Sequence, residues 1–97
     1  MIPYKVDPKN ENAHEDFQNW RRTNQNGFIV KPIGKAKALL HRTICRHWGD
    51  TEWAEGRKGW SSMGKTKKYC WNDKDELIAW IETELKITPD PCQDCNP

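Results

Sequence analysis

Long apolar runs are missing from this chain. No segment approaches the roughly 18 apolar residues of a membrane span, and the opening Met1-Ile2-Pro3-Tyr4-Lys5-Val6-Asp7 has no stretch of signal-peptide length. The sequence therefore predicts a protein that does not cross a membrane and resides in the cytoplasm. Aliphatic and aromatic side chains are scarce too. Hydrophobic residues fill 35% of the 97 positions, with only two Phe and two Tyr, against 31% charged residues. A domain this small removes a modest share of its surface from water on folding, so a core this thin calls for a staple. Six tryptophans and four cysteines exclude the opposite extreme, a disordered chain.

A strong net charge is also lacking. The balance is +2, which by itself points to no partner, but its distribution is uneven. From Lys31 to Trp71 there are ten Lys/Arg against three acids, while the two flanks together hold six Lys/Arg against eleven acids. A basic middle between acidic flanks suggests a surface that meets phosphates or another polyanion.

Along the chain, polar residues 1–9 with Pro3 and Pro8 are expected as an extended arm, followed by a single domain over 10–97. Asn10 or Asn12 is placed to cap a helix running to about Arg22, with Ala13, Phe17 and Trp20 on one face. Asn24-Gln25-Asn26-Gly27 ends it and leads into a strand at Phe28-Ile29-Val30, closed by Pro32 and Gly34. Lys35–Thr43 reads as the hairpin partner, running into His41 and a tight turn at Cys45. Residues 46–64 show no period and read as a long loop. Lys67–Trp71 reads as a third strand. Asn72 to Asp75 then supplies a cap and first-turn acids for a helix whose stripe is Leu77, Ile78, Trp80, Ile81 and Leu85. The chain finishes in the turn-rich Pro91-Cys92-Gln93-Asp94-Cys95-Asn96-Pro97.

Cysteines in a small cytoplasmic protein point to metal rather than disulfides. Cys92 and Cys95 are spaced so that both thiolates can reach one tetrahedral ion, and His41-x-x-x-Cys45 can supply the other two donors from a strand end and a turn. Mixed sulfur and imidazole ligation suits Zn2+, and four protein ligands leave no open position for water. The predicted metal ligands are thus His41, Cys45, Cys92 and Cys95, with Cys70 and His47 as spares. Cys70 sits mid-strand and reads as core.

The order of Asn26-Gly27-Phe28-Ile29-Val30, Leu40-His41-Arg42-Thr43-Ile44-Cys45-Arg46, a strand, a capped helix and the Pro91 to Pro97 turn resembles the zinc-binding N-terminal domain of the Ada adaptive-response proteins. The resemblance spans about three quarters of the chain, and Arg42, Cys45, Arg46, Cys92 and Cys95 fall on matching positions. It implies a zinc domain that meets DNA. That family keeps a methyl-accepting cysteine where this chain has His41, and imidazole cannot become a stable thioether, so methyl transfer is not expected. Gln93 and Asp94 also replace basic residues of the family's knuckle. A looser resemblance, to variants with histidine as first ligand, implies an accessory module beside nucleases or repair systems.

Gly59-Trp60-Ser61-Ser62-Met63-Gly64-Lys65-Thr66 matches the letters of a phosphate-binding loop, but no apolar strand precedes it and a strand, not a helix, follows. Nucleotide hydrolysis is set aside on that ground. Trp48, Trp53, Trp60 and Trp71 lie among basic residues, a mixture suited to stacking on bases while cations hold the backbone. Trp71 is assigned to the core and Trp60 to the surface, with Trp48 and Trp53 left open. The expected nucleic-acid contacts are Arg42, Arg46, Lys65, Lys67, Lys68 and Trp60.

Together these features predict an α+β domain: helix, three-stranded antiparallel sheet, helix, and a C-terminal zinc knuckle. It is expected to be a non-enzymatic, monomeric DNA-binding module, or else a protein-interaction module using the acidic helix from Asp73 to Glu84 or exposed tryptophans.

Overall fold

The computed structural model describes residues 2–45, 48 and 66–97. The expected loop, the phosphate-loop-like motif before Thr66, and Arg46, His47, Trp53, Trp60 and Lys65 lie outside the described residues.

Among the described residues seven elements follow in chain order: β1 (Tyr4–Val6), α1 (Ala13–Thr23), β2 (Phe28–Ile33), β3 (Lys37–Arg42), β4 (Lys68–Trp71), α2 (Lys74–Glu84) and β5 (Asp90–Pro91). The sheet order is β1-β4-β2-β3-β5, antiparallel except for the parallel β3–β5 pair. The three expected strands form the centre of this sheet, and two unexpected ones extend it. Residues 1–9 are not merely an arm: Tyr4–Val6 pairs with β4 and Val6 is buried. At the other edge Asp90 and Pro91 pair with Leu39 and Leu40. A three-residue strand between prolines and a two-residue strand containing one are too short for their own pattern to reveal them. Tertiary pairing creates both. Among the described residues no helix is long and apolar enough to cross a membrane.

Local chemistry fixes the helix ends. Glu15 and Asp16 in the first turn of α1, with Arg21 and Arg22 in the last, complement the helix dipole. Asn12 occupies the N-cap without a side-chain cap bond, and Asn10 instead accepts the Asn12 amide at 3.0 Å. Gly27 follows at a crowded spot, because a Cβ there would lie 2.7 Å from the Trp20 ring and 2.9 Å from Asn72 Oδ1. Asp73 caps α2 by accepting the Glu76 amide at 3.0 Å. Lys86, with φ 57°, ends the turn.

Adjacent strand residues point to opposite sides, and the sheet uses both. Ile29 and Cys70 face α1, packing with Val6, Ala13, Phe17, Cys45, Trp48 and Cys92. Val30, Leu40 and Tyr69 face α2, packing with Leu77, Ile81 and Ile87. Trp71 is half-buried against this second cluster, with its Nε1 donating to Glu76 at 3.2 Å. The core is thin but two-sided, with the sheet as its middle layer.

Removing the Asp73 cap by Asp73→Ala is expected to lower stability by about 1 kcal/mol. The uncapped neighbour change Asp75→Ala is expected to cost less, as read from urea denaturation midpoints.

Candidate metal centre

His41 lies near the end of β3, opposite Ile29, and its side chain is buried. The chain then turns tightly. The Thr43 amide donates to Gly27 O and the Cys45 amide to Arg42 O, both at 3.0 Å, which brings Cys45 back beneath the strand end. The second pair arrives from the far end of the sequence. Pairing of β5 with β3 continues one residue further, the Cys92 amide donating to Leu40 O at 2.9 Å, so the knuckle is delivered beside His41. The Asn96 amide closes the knuckle on Cys92 O at 3.1 Å.

The four donor atoms of His41, Cys45, Cys92 and Cys95 all lie within 4.8 Å of one another. Cys45 Sγ and Cys92 Sγ are 3.9 Å apart. A disulfide would need about 2.05 Å, whereas two sulfurs each about 2.3 Å from one tetrahedral ion stand about 3.8 Å apart. The spacing excludes a disulfide and fits two thiolates on one metal ion. Three of the donors are buried and Cys95 is half-buried, so the set is closed rather than open to a substrate.

Hydrogen bonds tune the thiols and lock the turn. Burial pushes the Cys92 thiol up, but the backbone N–H groups of Cys95 and Asp94 and the side chains of Cys95 and Cys45 together draw it below its ordinary value. The Arg42 amide donates to Cys95 Sγ at 3.2 Å. Both effects favour thiolate, the form that binds metal. Cys70 behaves oppositely: burial pushes its thiol far up, although Lys68 pulls it back slightly. It is fully buried in the core and is not one of the four, as the sequence predicts.

Two residues important here are not assigned to this site from the sequence: Trp48, left open between core and surface, and Arg21. Trp48 covers the site: its ring meets His41 at 4.7 Å and Phe17 at 5.3 Å, edge to face in both cases, while its Nε1 donates to Arg42 O at 3.1 Å. Arg21 ties α1 to the same loop, donating to Thr43 O and Trp48 O at 3.2 Å and to Gln18 Oε1 at 3.1 Å. For Trp48 the signal toward the site was its place three residues after Cys45, beside the basic setting that suggested stacking, and for Arg21 it was proximity to Phe17 and Trp20 on one helix.

Among the described residues, the expected nucleic-acid contacts Arg42, Lys67 and Lys68 do not form one patch. Arg42 is exposed but directs Nε and Nη2 to Asn96 O, at 3.2 and 2.9 Å, fastening the tail. Lys67 is exposed at the other end of the sheet, near the β2–β3 turn. Lys68 is not at the surface: 1% of it is accessible, and its ammonium donates to Thr66 O with the Trp48 ring 6.0 Å away. It shares a sheet face with Cys70, whereas Lys67 points the other way, so this neighbouring pair is divided by strand alternation.

No family model matches the chain, and no curated protein or solved structure matches it.

Each of His41→Ala, Cys45→Ser, Cys92→Ser and Cys95→Ser is expected to lower the metal bound per chain as measured by elemental analysis, while Cys70→Ser retains it. One metal equivalent in all four variants would refute the assignment. A second expectation concerns Lys68, whose amine is brought down to about 8 by burial, with Lys31 adding to the fall and Cys70 opposing it. Between about 8 in the fold and 10.5 in the unfolded chain, the unfolded state holds a proton that the folded state lacks, so this group raises stability as pH rises. Below pH 8 its penalty is fully present. Lys68→Met is accordingly expected to be more stable than the parent at pH 7, with the difference shrinking as chemical denaturation is repeated from pH 8 upwards.

Proposed function

We propose that this chain is a zinc-stapled nucleic-acid-binding module with DNA as its partner, and that the metal is structural. The observation that carries the metal half is the convergence of one imidazole and three thiol donors within 4.8 Å in a largely buried site. Zinc suits this donor set, since borderline-soft thiolate and imidazole in a tetrahedron are its usual protein ligands. A closed set provides neither a bound water nor an open position for a reacting group. His41 in place of a cysteine also removes the thiol that could accept an alkyl group, so the module is not an enzyme. The role of the metal is to help fold the chain.

The nucleic-acid half is supported by the resemblance to the Ada zinc domain and by the basic block from Lys31 to Trp71. Arg42 and Lys67 stand exposed within that block. Arg42 retains guanidinium donors beyond those given to Asn96. Arg46, Lys65 and Trp60 complete the proposed set. A second reading has one observation in its favour: Glu76, Ala79, Trp80, Thr83 and Glu84 line a cleft of about 390 Å³ on α2, suited to a basic protein segment. Recovery of a single protein partner from a nuclease-treated lysate would support that reading.

Cobalt(II) in place of zinc is expected to give the intense visible bands of a thiolate-rich tetrahedral site, whereas weak bands would indicate another geometry. Affinity for a short duplex is expected to fall with ionic strength, with a log–log slope of about −3 if three cations meet phosphates. Absent or salt-independent binding would remove the nucleic-acid reading.

A further inference from the structure

The hairpin of β2 and β3 is longer than the sheet that carries it. The two strands pair from Phe28↔Arg42 to Ile33↔Lys37. On one side β4 pairs only with Phe28 to Val30, and on the other β5 reaches only Leu39 and Leu40. Beyond those points, among the described residues, the hairpin is a ribbon with no third strand; Ala38 still turns its side chain into the core, and residues 33–37 form the exposed end. Gly34, at φ +74°, turns its tip with nothing within 4 Å of where a Cβ would stand.

The surface of this ribbon is specific in charge. Lys35 and Lys37 are exposed, Lys31 is half-buried at its base, and Ile33 stands 45% exposed at its end. No acid occurs between Gly27 and Trp48. One side of the tip looks across a groove of about 430 Å³, where Pro32, Gly34 and Lys35 face Lys67, Tyr69 and Ile87. Cations therefore stand on both walls. Asp7 lies within charge reach of Lys67, Lys5 and Lys9, so cations surround the acid at this end of the sheet.

We infer that the ribbon tip, residues 33–37, enters the major groove of duplex DNA, with Lys35, Lys37 and Lys67 on the phosphates. This rests on the nucleic-acid reading above and moves the main contact to the end of the sheet away from the metal. The dimensions agree. Ile33 lies three residues past Val30, about 10 Å of extended chain, and the strands are about 4.8 Å apart. The major groove is about 12 Å wide and 8.5 Å deep and admits a two-stranded ribbon. Exposed Ile33 suits contact with a thymine methyl. A protein strand adding to the ribbon edge is the poorer occupant, because Pro32 lacks an amide donor and the lysines repel edge pairing except by a polyanion.

The test uses the full zinc-loaded chain and a labelled duplex of mixed sequence, with anisotropy titrations at several salt concentrations. Lys35→Glu with Lys37→Glu is expected to lower affinity about tenfold or more and to flatten the log–log slope by about 1.8, at about 0.9 for each phosphate the protein no longer neutralises. Should charge reversal disturb the fold, as judged by zinc content and circular dichroism, the neutral pair Lys35→Ala and Lys37→Ala gives the same flattening of the slope. Binding is expected to protect guanine N7, which lies in the major groove, from dimethyl sulfate, while leaving adenine N3 in the minor groove reactive. Variants that bind like the parent, protection confined to adenine N3, or equal competition by polyglutamate would each overturn the ribbon assignment while leaving the broader nucleic-acid reading standing. A parent chain that binds no duplex at low salt would overturn both.

Discussion

The parallel pairing of Asp90 and Pro91 with Leu39 and Leu40 is the constraint on which the molecule turns. It places the Cys92 amide on Leu40 O and so brings the last residues of the chain beside His41, on the strand it extends. Without it the two halves of the donor set would remain 47 residues apart in sequence with nothing to unite them. Arg42 reinforces the junction twice, through its amide on Cys95 Sγ and its guanidinium on Asn96 O. A small domain with few aliphatic side chains thus fastens its C-terminal residues to β3 by polar and sulfur contacts in a place where a larger protein would use packing.

Around that junction the two core layers have different jobs. The layer facing α2 is aliphatic and aromatic, and holds the sheet to a helix. The layer facing α1 runs from Phe17 through Trp48 to His41, so the packing of the first helix and the covering of the metal donors are one continuous contact. Arg21 adds a polar tie from the same helix to the carbonyls of Thr43 and Trp48. The position of α1 and the shape of the donor loop therefore depend on each other.

Much of this was legible in the sequence where the chemistry is local. The cap at Asp73, the turn at Gly34 and the four donors follow from residue type and spacing. Strands β1 and β5 were not, because three and two residues carry no periodicity and exist only through their partners. Lys67 and Lys68 look like one basic patch in sequence, yet alternation sends one outward and the other under Trp48. Trp48 itself, set among cations, could not be told from a stacking residue until its ring was found against His41 and Phe17. The extent of the β2–β3 ribbon depends on where neighbouring strands stop, which no single segment states.

The brevity of β5 has a consequence for the chain without its metal. Ile87 is buried in the core, so only the residues after it have to be held against the sheet; ordering each costs about 1–2 kcal/mol, while a backbone hydrogen bond returns about 1. Two residues of strand offset little of that, so in the proposed zinc module loss of the metal would leave the tail held mainly by Arg42. What the tail uncovers is an edge: the outer side of Leu39 and Leu40, with Ala38 beside them, presents unpaired amides and carbonyls beside apolar side chains. An uncovered edge of that kind is a template for strands of other molecules. In that module the knuckle is thus also a guard of the sheet edge against self-association.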